Sequence, residues 1–95
     1  MKFHITNAAV KMYKDEMELG QGDALRLFVR YAGATSSGFS LGVTRDEPRE
    51  DDYKAEIEGI TFLVNPDDEW FVNNMTLDYN QREDRVLFNT PGLMD

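Results

Sequence analysis

The sequence predicts a strand-rich α+β fold on three observations. One segment near the N-terminus repeats its apolar residues at helical spacing, several later segments alternate apolar and polar residues, and turns bearing Gly, Pro or Asn separate them. Ninety-five residues set the prior at one domain, 1–95, because a chain of this length cannot divide its apolar surface between two cores. At 41% hydrophobic and 12% aromatic residues, the chain can close that core without disulfides.

Residues 2–5 read as a short strand, and Thr6 or Asn7 is placed to cap the helix that follows. The helix is predicted to run to Leu19, since Ala9, Val10, Tyr13 and Met17 share one face while Lys11, Lys14, Asp15 and Glu18 lie mostly away from it. Gly20 and Gly22 are assigned the left-handed conformations that end it. Residues 24–31 alternate strictly, with Leu25, Leu27, Val29 and Tyr31 on one side and Arg26, Phe28 and Arg30 on the other. Phe39, Leu41 and Val43 continue the pattern, and the small Ser40 and Gly42 on the opposite face leave room for a close approach. Residues 45–52 are densely charged and broken by Pro48, which predicts a solvated surface loop. Tyr53, Ala55 and Ile57 alternate and then turn at Glu58 and Gly59 into the apolar run 60–64, a predicted hairpin. Asn65, Pro66, Asp67 and Asp68 have the order of a helix start, so a short helix through Trp70 to Val72 is expected, ended by Asn73 and Asn74. Met75, Leu77 and Tyr79 mark a further strand, residues 80–84 a polar turn, and residues 85–88 a last strand.

The net charge of −8 opposes nucleic acid, because phosphate binding depends on Lys and Arg displacing counterions, and it opposes anionic membrane surfaces for the same reason. No apolar run approaches the roughly 18 residues of a spanning helix. The N-terminus also lacks a secretory apolar stretch, so a cytoplasmic protein is expected.

Six stretches resemble the HesB-like family, the A-type iron–sulfur carriers. Ile5-Thr6-Asn7-Ala8-Ala9 is similar to its opening, Leu25-Arg26-Leu27-Phe28-Val29-Arg30 to its first long strand, and Gly38-Phe39-Ser40-Leu41-Gly42-Val43 to the segment after its first cysteine, in the form of a bacterial subgroup. Glu58-Gly59-Ile60-Thr61-Phe62-Leu63-Val64, Leu77-Asp78-Tyr79 and Phe88-Asn89 resemble its C-terminal half. The resemblance implies a β-rich pseudobarrel of small mixed sheets with one N-terminal helix packed on it. Carriers of the family hold clusters through one cysteine in a Gly-Cys-Ser-Gly turn and a pair in a Cys-Gly-Cys tail, whereas this sequence contains no cysteine. Aligned from one side Ser36 falls at the first cysteine, and aligned from the other Ala34 does. Neither substitutes: alanine has no donor atom, and a serine hydroxyl is a poor ligand for soft iron sites.

Candidate sites follow from this. The loop at the first-cysteine position, Ala34, Thr35, Ser36, Ser37 and Gly38, follows Gly33, so two glycines flank four residues, but it lacks the Lys and Ser/Thr that continue a phosphate loop. It reads as a turn or as a contact surface of hydroxyls and N–H groups. His4, the one histidine, gives Ser36 no convincing triad and zinc no closed ligand set. Asp46, Glu47, Glu50, Asp51 and Asp52 lack calcium-loop spacing, and Asp67, Asp68 and Glu69 suit a helix start. Trp70, Phe71 and Tyr79 are assigned to the core, which a small domain needs its large side chains to close. If one of them were exposed beside the acidic loop, the pair would make a docking face for a basic protein. The expected function is a non-enzymatic HesB-like scaffold with no cofactor or metal, acting on a protein partner or a small ligand. The alternative is an accessory protein of iron–sulfur or iron metabolism that works without thiolates.

Overall fold

The computed structural model describes residues 1–31 and 38–89. Within them the order is β1 (His4–Ile5), α1 (Asn7–Met17), β2 (Ala24–Tyr31), β3 (Phe39–Arg45), β4 (Tyr53–Ile57), β5 (Ile60–Val64), a 3-10 turn (Pro66–Asp68), α2 (Glu69–Val72), β6 (Thr76–Asn80) and β7 (Arg85–Asn89). The strands make two small mixed sheets, β1-β6-β7 and β3-β2-β5-β4. β1 runs parallel to β6 and β2 parallel to β5, while the other neighbours are antiparallel. The predicted strand-rich α+β class is what forms.

Thr6 is the cap of α1: its hydroxyl accepts from the Ala9 N–H at 3.2 Å and donates to Asp78 Oδ1 of β6 at 2.7 Å. One side chain therefore starts the helix and ties it to the first sheet. The helix stops earlier than its periodicity predicts, because Glu18 takes the left-handed conformation (φ 52°, ψ 49°) expected of the glycines. Gly22 is left-handed (φ 93°), but in the turn beyond. The β4–β5 turn has positive φ at both Glu58 (54°) and Gly59 (82°), which is the backbone twist a two-residue hairpin needs.

Both sheets and both helices share one core. Ile5 and Leu77 enter it from the first sheet, Leu25, Leu27, Ile60, Phe62 and Val64 from the second, Ala9, Val10 and Tyr13 from α1, and Phe71 and Val72 from α2. The outer face of the second sheet is covered as well. Leu63, which pairs with Arg26, is fully buried outside this cluster, and the ring of Phe28 lies over its cross-strand partner Gly42, where a Cβ would meet it at 2.3 Å.

Candidate functional site

Four elements bring aromatic rings together at one edge of the molecule. Tyr31, the last residue of β2, meets Phe39, the first of β3, edge-on at 5.4 Å between ring centroids. Phe39 meets Trp70 at 5.2 Å, Trp70 meets Phe71 at 5.7 Å, and Phe71 meets Phe88 of β7 at 6.1 Å. Trp70 and Phe71 are neighbours in a helix of one turn, so they point about 100° apart and only one can face the core. Phe71 does, at 1% exposure, while Trp70 is 47% exposed, which corrects its assignment to the core. Tyr31 (78%) and Phe88 (37%) are also exposed. Tyr31 and Phe88 lie near the ends of the described stretches 1–31 and 38–89.

Of the loop at the first-cysteine position, Ala34, Thr35, Ser36 and Ser37 lie outside the described residues, as does the choice between Ser36 and Ala34. Gly38 is described: its left-handed backbone (φ 80°) turns the chain into β3. The described rim consists of the rings of Tyr31, Phe39, Trp70 and Phe88, with Glu69 next to Trp70. It presents no thiol and no imidazole, a donor set unsuited to an iron–sulfur cluster.

The acidic stretch differs from the solvated loop its composition predicts. Arg26, 6% exposed, forms a two-pronged pair with Asp52, Nη1 to Oδ1 at 2.8 Å and Nη2 to Oδ2 at 2.7 Å, while its Nε donates to Asp46 Oδ2 at 2.6 Å. The Asp52 carboxylate also accepts the Arg49 N–H at 2.7 Å. Its pKa is drawn down to about 2, first by the Arg26 hydrogen bond. Two of the five acids, Asp46 and Asp52, are thus committed to Arg26. The clue in the sequence is that Leu63 makes the second face of residues 60–64 apolar as well, opposite Ile60, Phe62 and Val64; a strand apolar on both faces needs cover on both, and Arg26, its partner in register, shares that cover.

The other candidates stay apart. His4 is exposed on β1, with Asp78 occupied by Thr6. Asp68 accepts from the Val29 N–H, prolonging β2 past the end of β5, and burial raises its pKa. Tyr79 is partly buried against α1, hydrogen-bonded to Asp84, and lines a depression of about 260 Å³ with Ala8, Lys11, Met12 and Glu16. Among the described residues no three His or acidic side chains converge as a metal site.

The sequence profile described as iron-sulphur cluster biosynthesis matches residues 1–94. The chain belongs to that family. Its relatives within and around the family differ in role. It is 39% identical over 92 residues to the Bacillus subtilis (strain 168) "Pyruvate dehydrogenase inhibitor", covering 93% of this chain and 97% of that one. It is 39% identical over 67 residues to "Iron-sulfur cluster insertion protein ErpA" of Shewanella loihica, covering 70% of this chain and 58% of that one. The solved structure of IscA with a 2Fe-2S cluster superposes with a TM-score of 0.76 at 16% identity, covering 95% of this chain and 86% of that chain. That likeness is one of fold, and it agrees with the pseudobarrel the sequence resemblance implied.

Proposed function

We propose that this chain is a non-enzymatic, protein-binding member of the iron-sulphur cluster biosynthesis family that regulates a partner enzyme by surface contact. The observation that carries this reading is the complete absence of cysteine from a chain of this family. Oxygen donors do not replace thiolates around a cluster, so the scaffold must be used some other way. The likeness to a pyruvate dehydrogenase inhibitor, which extends over nearly the whole of both chains, supports inhibition as that use and pyruvate dehydrogenase as the target. The aromatic edge supports contact as the means, since exposed Trp and Tyr packed on neighbouring rings are among the residues that dominate interfaces. The loop of Ala34, Thr35, Ser36, Ser37 and Gly38 adjoins that edge in the chain and contributes hydroxyls and N–H groups to the contact.

The test is a titration of purified pyruvate dehydrogenase complex from the source organism with the purified chain. Expected is saturable loss of turnover that the Trp70→Ala variant fails to produce. Undiminished turnover at a large molar excess of chain rejects the reading. The accessory role in iron metabolism, favoured by the likeness to ErpA, separates cleanly. Anaerobic reconstitution followed by gel filtration yields a colourless, iron-free protein on the contact reading, and near-stoichiometric bound iron on the other.

A further inference from the structure

We propose that the aromatic edge of Tyr31, Phe39, Trp70 and Phe88 receives a basic, arginine-bearing segment of the partner protein, with Asp67 and Glu69 as the counter-charges. The inference deepens the contact reading by naming the chemistry of what docks. Three observations carry it.

The first is preorganisation. Trp70 and Phe88 both lean on Phe71, which is 1% exposed, and Tyr31 leans on Phe39, so the exposed rings are already fixed and little side-chain entropy is left to lose on binding. The second is charge. The turn that presents Trp70 contains Asp67, Asp68 and Glu69 and no Lys or Arg from residue 65 to 74. Asp68 is engaged with the Val29 N–H, whereas among the described residues Asp67 and Glu69 form no ion pair through their carboxylates. Glu69, Trp70, Met1 and Asn73 line a depression of about 240 Å³, so an acidic residue and the tryptophan border one recess. An indole face attracts a guanidinium, and a neighbouring carboxylate adds charge to that attraction. Arg30, the base next to Tyr31, points to the other side of β2 by strand alternation. The third is the competitor: a second copy of the chain would bring another net charge of −8 to the same edge, which opposes self-association there.

Trp70 is the chain's one tryptophan, so its emission reports on this edge alone. The probes are two short labelled peptides, one of alternating Arg and Leu and one of alternating Glu and Leu, titrated into the full chain with anisotropy and indole emission read together. Expected is binding of the Arg-Leu peptide at least about tenfold tighter than the Glu-Leu peptide, a preference that shrinks as NaCl rises from about 50 to about 300 mM. The Asp67→Lys/Glu69→Lys variant should invert the preference, and Trp70→Ala should weaken the Arg-Leu peptide when compared well below that variant's own thermal midpoint of unfolding. Equal affinity for both peptides overturns the inference. So does doubling of the mass on gel filtration, reversed by Trp70→Ala, which assigns the edge to a second copy. The two proposals can fail separately. A dehydrogenase inhibited equally by wild type and the double-Lys variant sinks the basic-segment inference and leaves the contact reading. Intact peptide selectivity with an unaffected dehydrogenase does the reverse.

Discussion

Arg26 shows how a single side chain reorganises a charged loop. Its Nε and both Nη atoms are used: Asp46 and Asp52 take three bonds, and the Glu47 carbonyl a weaker one at 3.3 Å. A buried pair of this kind contributes little beyond what apolar residues of equal volume would, but removing one partner strands the other, so Arg26→Met should cost about 3 to 5 kcal/mol in urea unfolding. The double variant Arg26→Met/Asp52→Leu should recover most of that loss; a double variant no better than the single one would refute the account. The pH dependence follows from the same contacts. Asp52 is held at about 2 against an ordinary 3.8, so its stabilisation is fully present above pH 3.8 and is lost as pH falls toward about 2. Arg26→Met should erase that acid limb from the stability curve. Tyr13 gives the opposite limb: burial pushes its hydroxyl from 10.0 up to about 12. The unfolded chain ionises first, so stability should decline as pH rises from 10 toward about 12, and Tyr13→Phe should flatten the decline.

At the scale of elements, the N-terminus of α1 joins two parts of the fold through one hydroxyl. Thr6 caps the helix and also donates to Asp78 on β6, and that bond is the leading cause of the lowered Asp78 pKa. Thr6→Ala should therefore cost about 1 to 2 kcal/mol, more than a surface substitution, while Thr6→Ser should restore most of it. Chemical denaturation of the three proteins decides this, and an Ala variant as stable as Thr would refute the dual role. The paired Glu58 and Gly59 turn was legible for an elementary reason: the apolar alternation on both sides left only two residues to reverse the chain, and Gly is tolerant of positive φ. The stop of α1 was not legible. Glu18 carries a Cβ and has no intrinsic preference for the left-handed region, so packing and the Leu19 N–H to Lys14 carbonyl bond at 3.0 Å decided it over the nearby glycines.

For the whole molecule, the two sheets close on one core and leave their aromatic surplus at one edge. Among the described residues that edge is built of the rings of Tyr31, Phe39, Trp70, Phe71 and Phe88. The expected outcome of the dehydrogenase titration, inhibition that depends on Trp70, belongs to this scale, because it requires α2, β2, β3 and β7 to be assembled together.

What the sequence determined alone was the element order, the strand-rich class, the family likeness and the exclusion of thiolate chemistry, because periodicity, turn residues and donor atoms are properties of local chain and composition. Tertiary structure decided which of Trp70 and Phe71 turned outward and which acids were drawn under cover by Arg26. Both outcomes depend on what lies across the fold: a one-turn helix has no period long enough to declare its buried face, and a charge is accommodated inside only when its partner, distant in sequence, arrives beside it.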